Sequence, residues 1–350
     1  MSSKLLIVGA GLIGTSIALR ARELTWEVEL QDRNERALQL AYDLIGFKGK
    51  VENPDLVVIA TTPNSIASLV FELAKKYPEA TLLDVASTKA KTQAEIDRFP
   101  DIAKRFIGTH PIAGRERGGP QSARSDLFVG RAWVVTPSIA VEPRRFDLVG
   151  EFIEAMGAAR YEMSTKLHDA LFAKISHLPQ ILSVILASSI SEMGPEVSLA
   201  GQGLRDMLRI SSSDGALWSE ILLENQEEIL ESIDDFQGLL DGLRDALEDS
   251  DKAKIIEIFE DVRHIAAKVG GKHGAKPREY TFIDVVIDDR PGQLAAIFAE
   301  CGDIGVNVED LALEHSPRQE TGLIRLALSK SDAGKLFDHL ANRGWKVHQQ

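Results

Sequence analysis

The chain has 350 residues, of which 44% are hydrophobic and 27% charged, a composition typical of a soluble globular protein with two or three domains. Its net charge of −13 argues against nucleic acid as a partner, because no basic stripe offers contacts to phosphates. A single cysteine, Cys301, excludes a disulfide within the chain and favours a reducing compartment. With no signal-peptide pattern and no apolar run near the roughly 20 residues that span a bilayer, we expect a cytoplasmic protein without a membrane partner.

A nucleotide-binding pattern begins the chain. Residues 4–8 form a mainly apolar run, as in a strand buried on both faces of a sheet, and residues 15–23 read as a helix. Between them, glycines spaced Gly-x-Gly-x-x-Gly permit a tight turn, close approach of a pyrophosphate and close packing of helix on strand. The helix start offers N–H groups to phosphate. The predicted cofactor loop comprises Gly9, Gly11, Leu12, Ile13 and Gly14.

Polar residues follow the next strands, at the edge of the sheet where a cofactor binds in such folds. Asp32 lies 18 residues beyond Gly14, close to where an acidic side chain meets the ribose 2′-hydroxyl of NAD. This favours NAD over NADP, although a turn aspartate is the alternative and the neighbouring Arg33 leaves NADP open. Thr61 and Ser87 each follow an apolar strand in the same way.

The segment Gly108–Gly114 holds one histidine, His110, between glycines and a proline where a further strand is predicted to end. An imidazole held beside a nicotinamide is suited to accept a proton during alcohol oxidation. The alternative is a histidine that satisfies a loop hydrogen bond. Together with a last strand at residues 133–136, these patterns predict an α/β doubly wound, Rossmann-type sheet as an NAD-binding domain over residues 1–140.

Residues 141–270 read as an all-α helical domain for substrate binding and dimerisation. Two polar clusters interrupt its apolar periodicity, one from His168-Asp169 to Gln180 and one over residues 201–214. If the second is helical, Arg205 and Arg209 lie on one face, and Ser213 or Asp214 caps the next helix. Guanidinium groups bind carboxylates in a bidentate manner, which suits recognition of a small organic acid. Surface salt bridges are the alternative.

These motifs together resemble the prephenate dehydrogenase family, which includes arogenate dehydrogenases. The resemblance covers residues 4–265 and rests on the glycine pattern, on Gly108–Gly114 with Glu116 and Gly119, on the segment His168–Pro179, and on Arg205–Asp214 with Trp218. It implies NAD-dependent oxidative decarboxylation of prephenate to 4-hydroxyphenylpyruvate in tyrosine biosynthesis. In that reaction hydride leaves the carbon bearing the hydroxyl, the ring carboxylate departs as CO2, and the ring becomes aromatic.

The resemblance also implies roles for individual residues. His110 matches the catalytic histidine, and Ser87 matches a serine that hydrogen-bonds both substrate and histidine. Arg209 matches an arginine that grips the substrate carboxylate. Asp206, Glu116 and Trp218 match residues that shape the pocket, and His177 matches a second histidine that lies near the site or is structural. Gln180 departs from the family, since many members have histidine there, and this leaves prephenate and arogenate both open as substrates.

Residues 279–350 follow a basic, glycine-rich linker and resemble an ACT domain, a small α+β, ferredoxin-like module that binds amino acids. The resemblance rests on the turn Asp288–Gly292 and on Gly305-Val306-Asn307. It implies an effector site near Arg290, Gly292 and Asn307, for which we hypothesise tyrosine as feedback inhibitor. A module that only dimerises is the alternative, and either case agrees with an expected homodimer.

Other functions fit less well. A phosphoglycerate dehydrogenase inserts its nucleotide domain within a substrate domain, whereas here the glycine loop starts at residue 9. A β-hydroxyacid dehydrogenase relies on a lysine where this helical region has histidine and arginine. A non-catalytic amino-acid sensor is a different class of protein, but the joint presence of Ser87, His110 and Arg209 favours an enzyme. No metal site is predicted.

Overall fold

The structure is a computed structural model that describes residues 4–114, 118–262, 280–315 and 321–349. The chain divides into two units, whose described residues are 4–262 and 280–349. The first unit holds a seven-stranded sheet and a set of helices, and the second holds a four-stranded sheet.

The sheet of the first unit has the strand order β2-β1-β3-β4-β5-β6-β7. All neighbouring pairs are parallel except β5 and β6, which are antiparallel. This confirms the predicted Rossmann-type sheet, but β7 extends it beyond residue 140. The strands are β1 (Lys4–Val8), β2 (Glu27–Gln31), β3 (Leu56–Ile59), β4 (Thr81–Asp84), β5 (Phe106–Pro111), β6 (Ala132–Thr136) and β7 (Ala159–Glu162).

Helices cover both faces of this sheet because the central strands are apolar on both sides. In β1, Leu5 and Ile7 belong to one core cluster and Leu6 to the other. Helices α1, α2 and α6 pack on the first cluster, and α3, α4 and α5 pack on the second. Their bounds are α1 (Leu12–Glu23), α2 (Glu35–Ile45), α3 (Ile66–Lys76), α4 (Ala90–Ile96), α5 (Pro100–Ala103) and α6 (Pro143–Ala155).

The rest of the first unit is helical, which confirms the predicted helical region. The helices are α7 (Thr165–Phe172), α8 (Leu178–Ser189), α9 (Gln202–Ser211), α10 (Gly215–Glu224), α11 (Gln226–Glu248) and α12 (Lys252–Asp261). Asp214 caps α10 by accepting hydrogen bonds from the N–H groups of Ala216 and Leu217, at 2.9 and 3.3 Å, which confirms one of the two predicted caps.

A π-helical turn at Ala173–His177 joins α7 to α8 into one helix, Thr165–Ser189. By length and composition alone this helix could cross a bilayer, so the expectation that no segment approaches that length was wrong. The sequence reading missed it because polar residues in the first half separate the apolar stretches. Those polar residues, His168, Asp169 and His177, are buried against neighbouring elements, and we therefore interpret the segment as a helix of the domain.

Within its described residues, the second unit has an antiparallel sheet of order β11-β8-β10-β9 and two helices. Its core is formed by apolar residues of both layers, among them Ile283, Ile297, Leu326 and Leu336. The elements run in the order β8 (Thr281–Asp288), α13 (Gln293–Asp303), β9 (Asp310–His315), β10 (Thr321–Leu328), α14 (Lys330–Asn342) and β11 (Lys346–Gln349).

Candidate active site

The glycine loop lies between β1 and α1 as predicted. Gly9 has φ +115°, and a side chain there would overlap the carbonyl oxygen of Ala60. A side chain at Gly14 would overlap the carbonyl oxygen of Gly9, whereas one at Gly11 would meet no protein atom within 4 Å. Gly9 and Gly14 are therefore required by packing, and the space at Gly11 fits a pyrophosphate.

Two further features suit a bound dinucleotide. Helix α1 begins at Leu12, and no described side chain caps it, which leaves its first N–H groups available to a phosphate. Leu12 and Ile13, in this first turn, are partly exposed. Asp32 accepts hydrogen bonds from the N–H groups of Ala10, at 2.6 Å, and Asn34, at 2.7 Å. It is thus a turn residue that also lies against the glycine loop, where the ribose is expected.

Thr61 and Ser87 follow β3 and β4, and both are partly exposed. The hydroxyl of Ser65 donates to that of Thr61 at 2.9 Å. Ser87 stands between the buried residues Ala86 and Thr88. Among the described residues no hydrogen bond joins Ser87 to His110.

His110 lies within β5 rather than beyond the predicted end of that strand. Antiparallel pairing with β6, in which His110 is opposite Val134, extends the strand to Pro111. The prediction that the strand ends before His110 was wrong. It relied on the neighbouring glycines and proline, and nothing in the sequence indicated the pairing with β6. The imidazole is partly exposed, and its ring lies 4.7 Å from that of Phe172, measured between centroids.

The ring of His110 is held by a second histidine. Nδ1 of His110 lies 2.9 Å from Nε2 of His168, and Nδ1 of His168 lies 2.7 Å from Oδ1 of Asp169. His168 and Asp169 are buried. The sequence indicated these two residues only as a polar cluster, since nothing in it showed that they would contact a strand 58 residues earlier.

Asp169 is anchored on the first turn of α4. Its carboxylate accepts hydrogen bonds from the N–H groups of Lys89, at 2.9 Å, and Ala90, at 2.7 Å. These groups have no partner within the helix, and a negative charge is favoured at a helix start. The carboxylate therefore joins the nucleotide-binding sheet to the helical region beside His110.

A buried ion pair lies next to β5. The ammonium group of Lys89 contacts the carboxylate of Asp84 and donates to the carbonyl oxygen of Thr109 at 2.7 Å. Both side chains are buried, so each charge depends on the other. Sequence reasoning missed this pair as well, although a lysine among small polar residues after an apolar strand was the available signal.

These surroundings keep His110 uncharged. Burial, together with the nearby His168 and Lys89, lowers the pKa of His110 well below 6.5, because the imidazolium form would lose its hydration near other positive charge. The pKa of His168 is also lowered by burial, against the opposing effect of Asp169. At neutral pH both rings are neutral, and His110 can accept a proton.

A second histidine cluster involves residues that the sequence singled out. His177 is buried, its Nδ1 lies 3.2 Å from Nδ2 of Asn225, and its ring is nearly perpendicular to Trp218 at 6.0 Å between centroids. Nδ2 of Asn225 also donates to the carbonyl oxygen of Asp169 at 2.9 Å. Burial lowers the pKa of His177 to about 4, so this ring is neutral too.

The remaining predicted residues lie around α9. Nε2 of Gln180 donates to the carbonyl oxygen of Ile210 at 2.9 Å, which ties α8 to the end of α9. Arg209 and Asp206 are exposed on α9, and Asp206 accepts a hydrogen bond from Gln202 at 2.9 Å. Glu116 lies outside the described residues.

A parallel sheet with this glycine loop, and a neutral imidazole on one of its strands, defines an NAD-dependent dehydrogenase. Comparisons with known proteins agree. Residues 16–162 match the model of the prephenate dehydrogenase nucleotide-binding domain, and residues 164–261 match that of the prephenate dehydrogenase dimerization domain. These matches cover more than half of the chain, which belongs to the prephenate dehydrogenase family.

Individual proteins are similar to this chain over most of its length. A probable prephenate dehydrogenase from Streptomyces niveus is 27% identical over 98% of this chain and 98% of its own. A prephenate dehydrogenase from Bacillus subtilis is 28% identical, over 96% and 94%. The crystal structure of prephenate dehydrogenase from A. aeolicus with hydroxyphenyl propionate and NAD+ is 28% identical, covers 77% of this chain and 99% of its own, and has a TM-score of 0.71.

The two glycines Gly11 and Gly14 allow a matched test of the cofactor loop. Gly14→Ala should destabilise the fold by about 1–3 kcal/mol, because its methyl group overlaps a backbone carbonyl. Gly11→Ala should change stability by less than about 1 kcal/mol and yet weaken NAD binding, because its methyl group enters the space for the pyrophosphate. Thermal unfolding and NAD titration measure both effects. Unchanged NAD affinity in Gly11→Ala would place the pyrophosphate elsewhere.

Proposed function

We propose that the protein oxidises prephenate with NAD and releases CO2 to form 4-hydroxyphenylpyruvate, a step of tyrosine biosynthesis in the cytoplasm. The observation that carries this proposal is the neutral, partly exposed imidazole of His110 on the strand next to β4, with its Nδ1 edge held by His168. The curated relatives named prephenate dehydrogenase support the choice of substrate.

His110 is the general base in this proposal. Gly9–Gly14 and Asp32 would hold NAD, which would supply the acceptor for the hydride from the carbon that carries the substrate hydroxyl. The hydroxyl proton passes to His110, whose lowered pKa leaves it neutral and ready at pH 7. The electrons of the bond to the departing CO2 then enter the ring, and the resulting phenolate oxygen takes back a proton. Ser87, at the end of β4, is proposed to hydrogen-bond the same hydroxyl.

Binding of the substrate is assigned to the helical region. Prephenate carries two negative charges, and a protein of net charge −13 needs local cations to hold it. Arg209 is the proposed carboxylate partner. Asp206, Glu116, His177 and Trp218 are proposed to shape the pocket.

Arogenate is the second candidate substrate. Gln180 donates one N–H to the carbonyl oxygen of Ile210, and a glutamine cannot carry a charge beside the substrate side chain, where prephenate has a ketone and arogenate an amino acid. Relative turnover of the two compounds at equal concentration separates them.

We also propose a homodimer, because residues 164–261 match a dimerization domain and helices α8, α10 and α11 expose apolar side chains. These exposed side chains are Val184, Ile185, Leu217, Leu223 and Leu239. A monomer at micromolar concentration in sedimentation equilibrium would contradict the proposed homodimer.

The second unit is proposed to be an ACT domain that binds tyrosine as a feedback inhibitor. An open pocket of about 210 Å³ lies at the start of α13 and is lined by Arg290, Gly292 and Leu313, among others. Arg290 pairs with Asp288 at the pocket, and Gly292 has φ +92°. Asn307, the third predicted effector residue, does not line this pocket; its Nδ2 donates to Glu309 at 3.1 Å.

His110→Ala tests the proposed reaction. We expect NADH formation from prephenate to fall by about 10²–10⁴-fold in kcat, the usual contribution of a general base, with little change in KM. His348→Ala, at the far end of the chain, is the control and should keep full activity. Wild-type protein without turnover of prephenate or arogenate, or His110→Ala with wild-type kcat, would refute the proposal.

Tyrosine tests the effector site. We expect tyrosine to inhibit the wild-type enzyme and to raise its thermal midpoint, because a ligand that binds only the folded state stabilises it. Arg290→Ala should weaken both effects while activity without tyrosine is retained. If tyrosine changes neither activity nor thermal midpoint of the wild type, the regulatory proposal fails.

A further inference from the structure

We propose that Asp169 and His168 are positioning residues that hold His110 in the tautomer with its lone pair on Nε2. This inference rests on the proposed role of His110 as general base. It concerns two buried residues that do not reach the reacting atoms themselves and act through the His110 ring.

The first step concerns Asp169. An ionised carboxylate only accepts hydrogen bonds, and this one already accepts two from the backbone N–H groups of Lys89 and Ala90. Nδ1 of His168, 2.7 Å from Oδ1 of Asp169, must therefore carry the proton. The helix start fixes the carboxylate, so the direction of this hydrogen bond is fixed too.

His168 in turn determines which nitrogen of His110 carries the proton. His168 is fully buried, and burial keeps its pKa below 6.5, so a ring with a proton on Nδ1 has a lone pair on Nε2. Nδ1 of His110, 2.9 Å away, can then only donate. Because His110 is neutral as well, its own lone pair is on Nε2, the edge that does not face His168.

The constraint matters because free imidazole in water prefers the opposite tautomer, with the proton on Nε2. A histidine in that form offers no base at Nε2. The hydrogen bonds from the Asp169 carboxylate through His168 to His110 reverse this tautomer preference before substrate binds. The base therefore needs no rearrangement during the reaction. Lys89 supports the same arrangement, since its ammonium group holds the carbonyl oxygen of Thr109, the residue before His110.

Asp169→Asn is the most direct variant. The amide has the shape of the carboxylate, and its oxygen can still accept from the start of α4. Its NH2 group, however, donates to His168, which reverses the direction of the hydrogen bonds between residue 169, His168 and His110. We expect kcat to fall by about 10²–10⁴-fold with little change in KM, as when the wrong tautomer of a catalytic histidine is stabilised. Asp251→Asn, which alters an exposed cap of α12, should keep wild-type kcat.

A double-mutant cycle tests whether Asp169 acts through His168. His168→Leu removes the nitrogen that accepts from His110 and leaves the Asp169 cap of α4 unchanged. If Asp169→Asn folds poorly, His168→Leu therefore tests the inference in its place. In the His168→Leu background, Asp169→Asn should cause no further loss of kcat. Losses that multiply would show an independent role for Asp169 and would overturn the inference.

Nitrogen NMR of protein labelled with 15N-histidine reads the tautomer directly, with His110→Ala used to assign the signals. We expect Nδ1 of His110 to be protonated in the wild type and Nε2 to be protonated in Asp169→Asn. Protonated Nε2 in the wild type, or wild-type kcat in both Asp169→Asn and His168→Leu, would refute the inference. If His110→Ala itself keeps full activity, the proposed function fails instead.

Discussion

The carboxylate of Asp169 is the constraint on which the site depends. It binds the start of α4 on one side and His168 on the other, so one side chain holds both a helix of the nucleotide-binding sheet and, through His168, the ring of His110 on β5. Its own carbonyl oxygen accepts from Asn225, which in turn contacts His177. His110, through His168, and His177, through Asn225, are thereby both linked to a single residue of α7.

Such a network has an energetic cost. Burying Asp84, Lys89, His168 and Asp169 removes charged and polar groups from water, and each is tolerated only because its hydrogen bonds are made inside the protein. Loss of one partner would leave another group buried and uncompensated, which usually costs more than the pair contributes. The result is an uncharged imidazole on β5 whose Nδ1 side is held by the buried pair His168 and Asp169.

The sequence predicted the features that depend on local rules. Apolar strands, the Gly9–Gly14 loop and the Asp214 cap of α10 follow from neighbouring residues, and the structure confirms them. The sequence could not predict contacts between distant segments. The strand position of His110 depends on pairing with β6, and the His168 contact depends on how α7 packs against α4. For Gln180, the family pattern indicated a substrate contact, whereas the structure adds a hydrogen bond to α9.

The pH dependence of kcat/KM for prephenate at saturating NAD reports whether this network keeps His110 neutral at physiological pH. Protonation removes the base as the pH falls through the pKa of His110, and that pKa lies well below 6.5. We therefore expect a level profile from neutral pH down through 6.5 and a decline only below it. A decline that begins at or above pH 6.5 would contradict it.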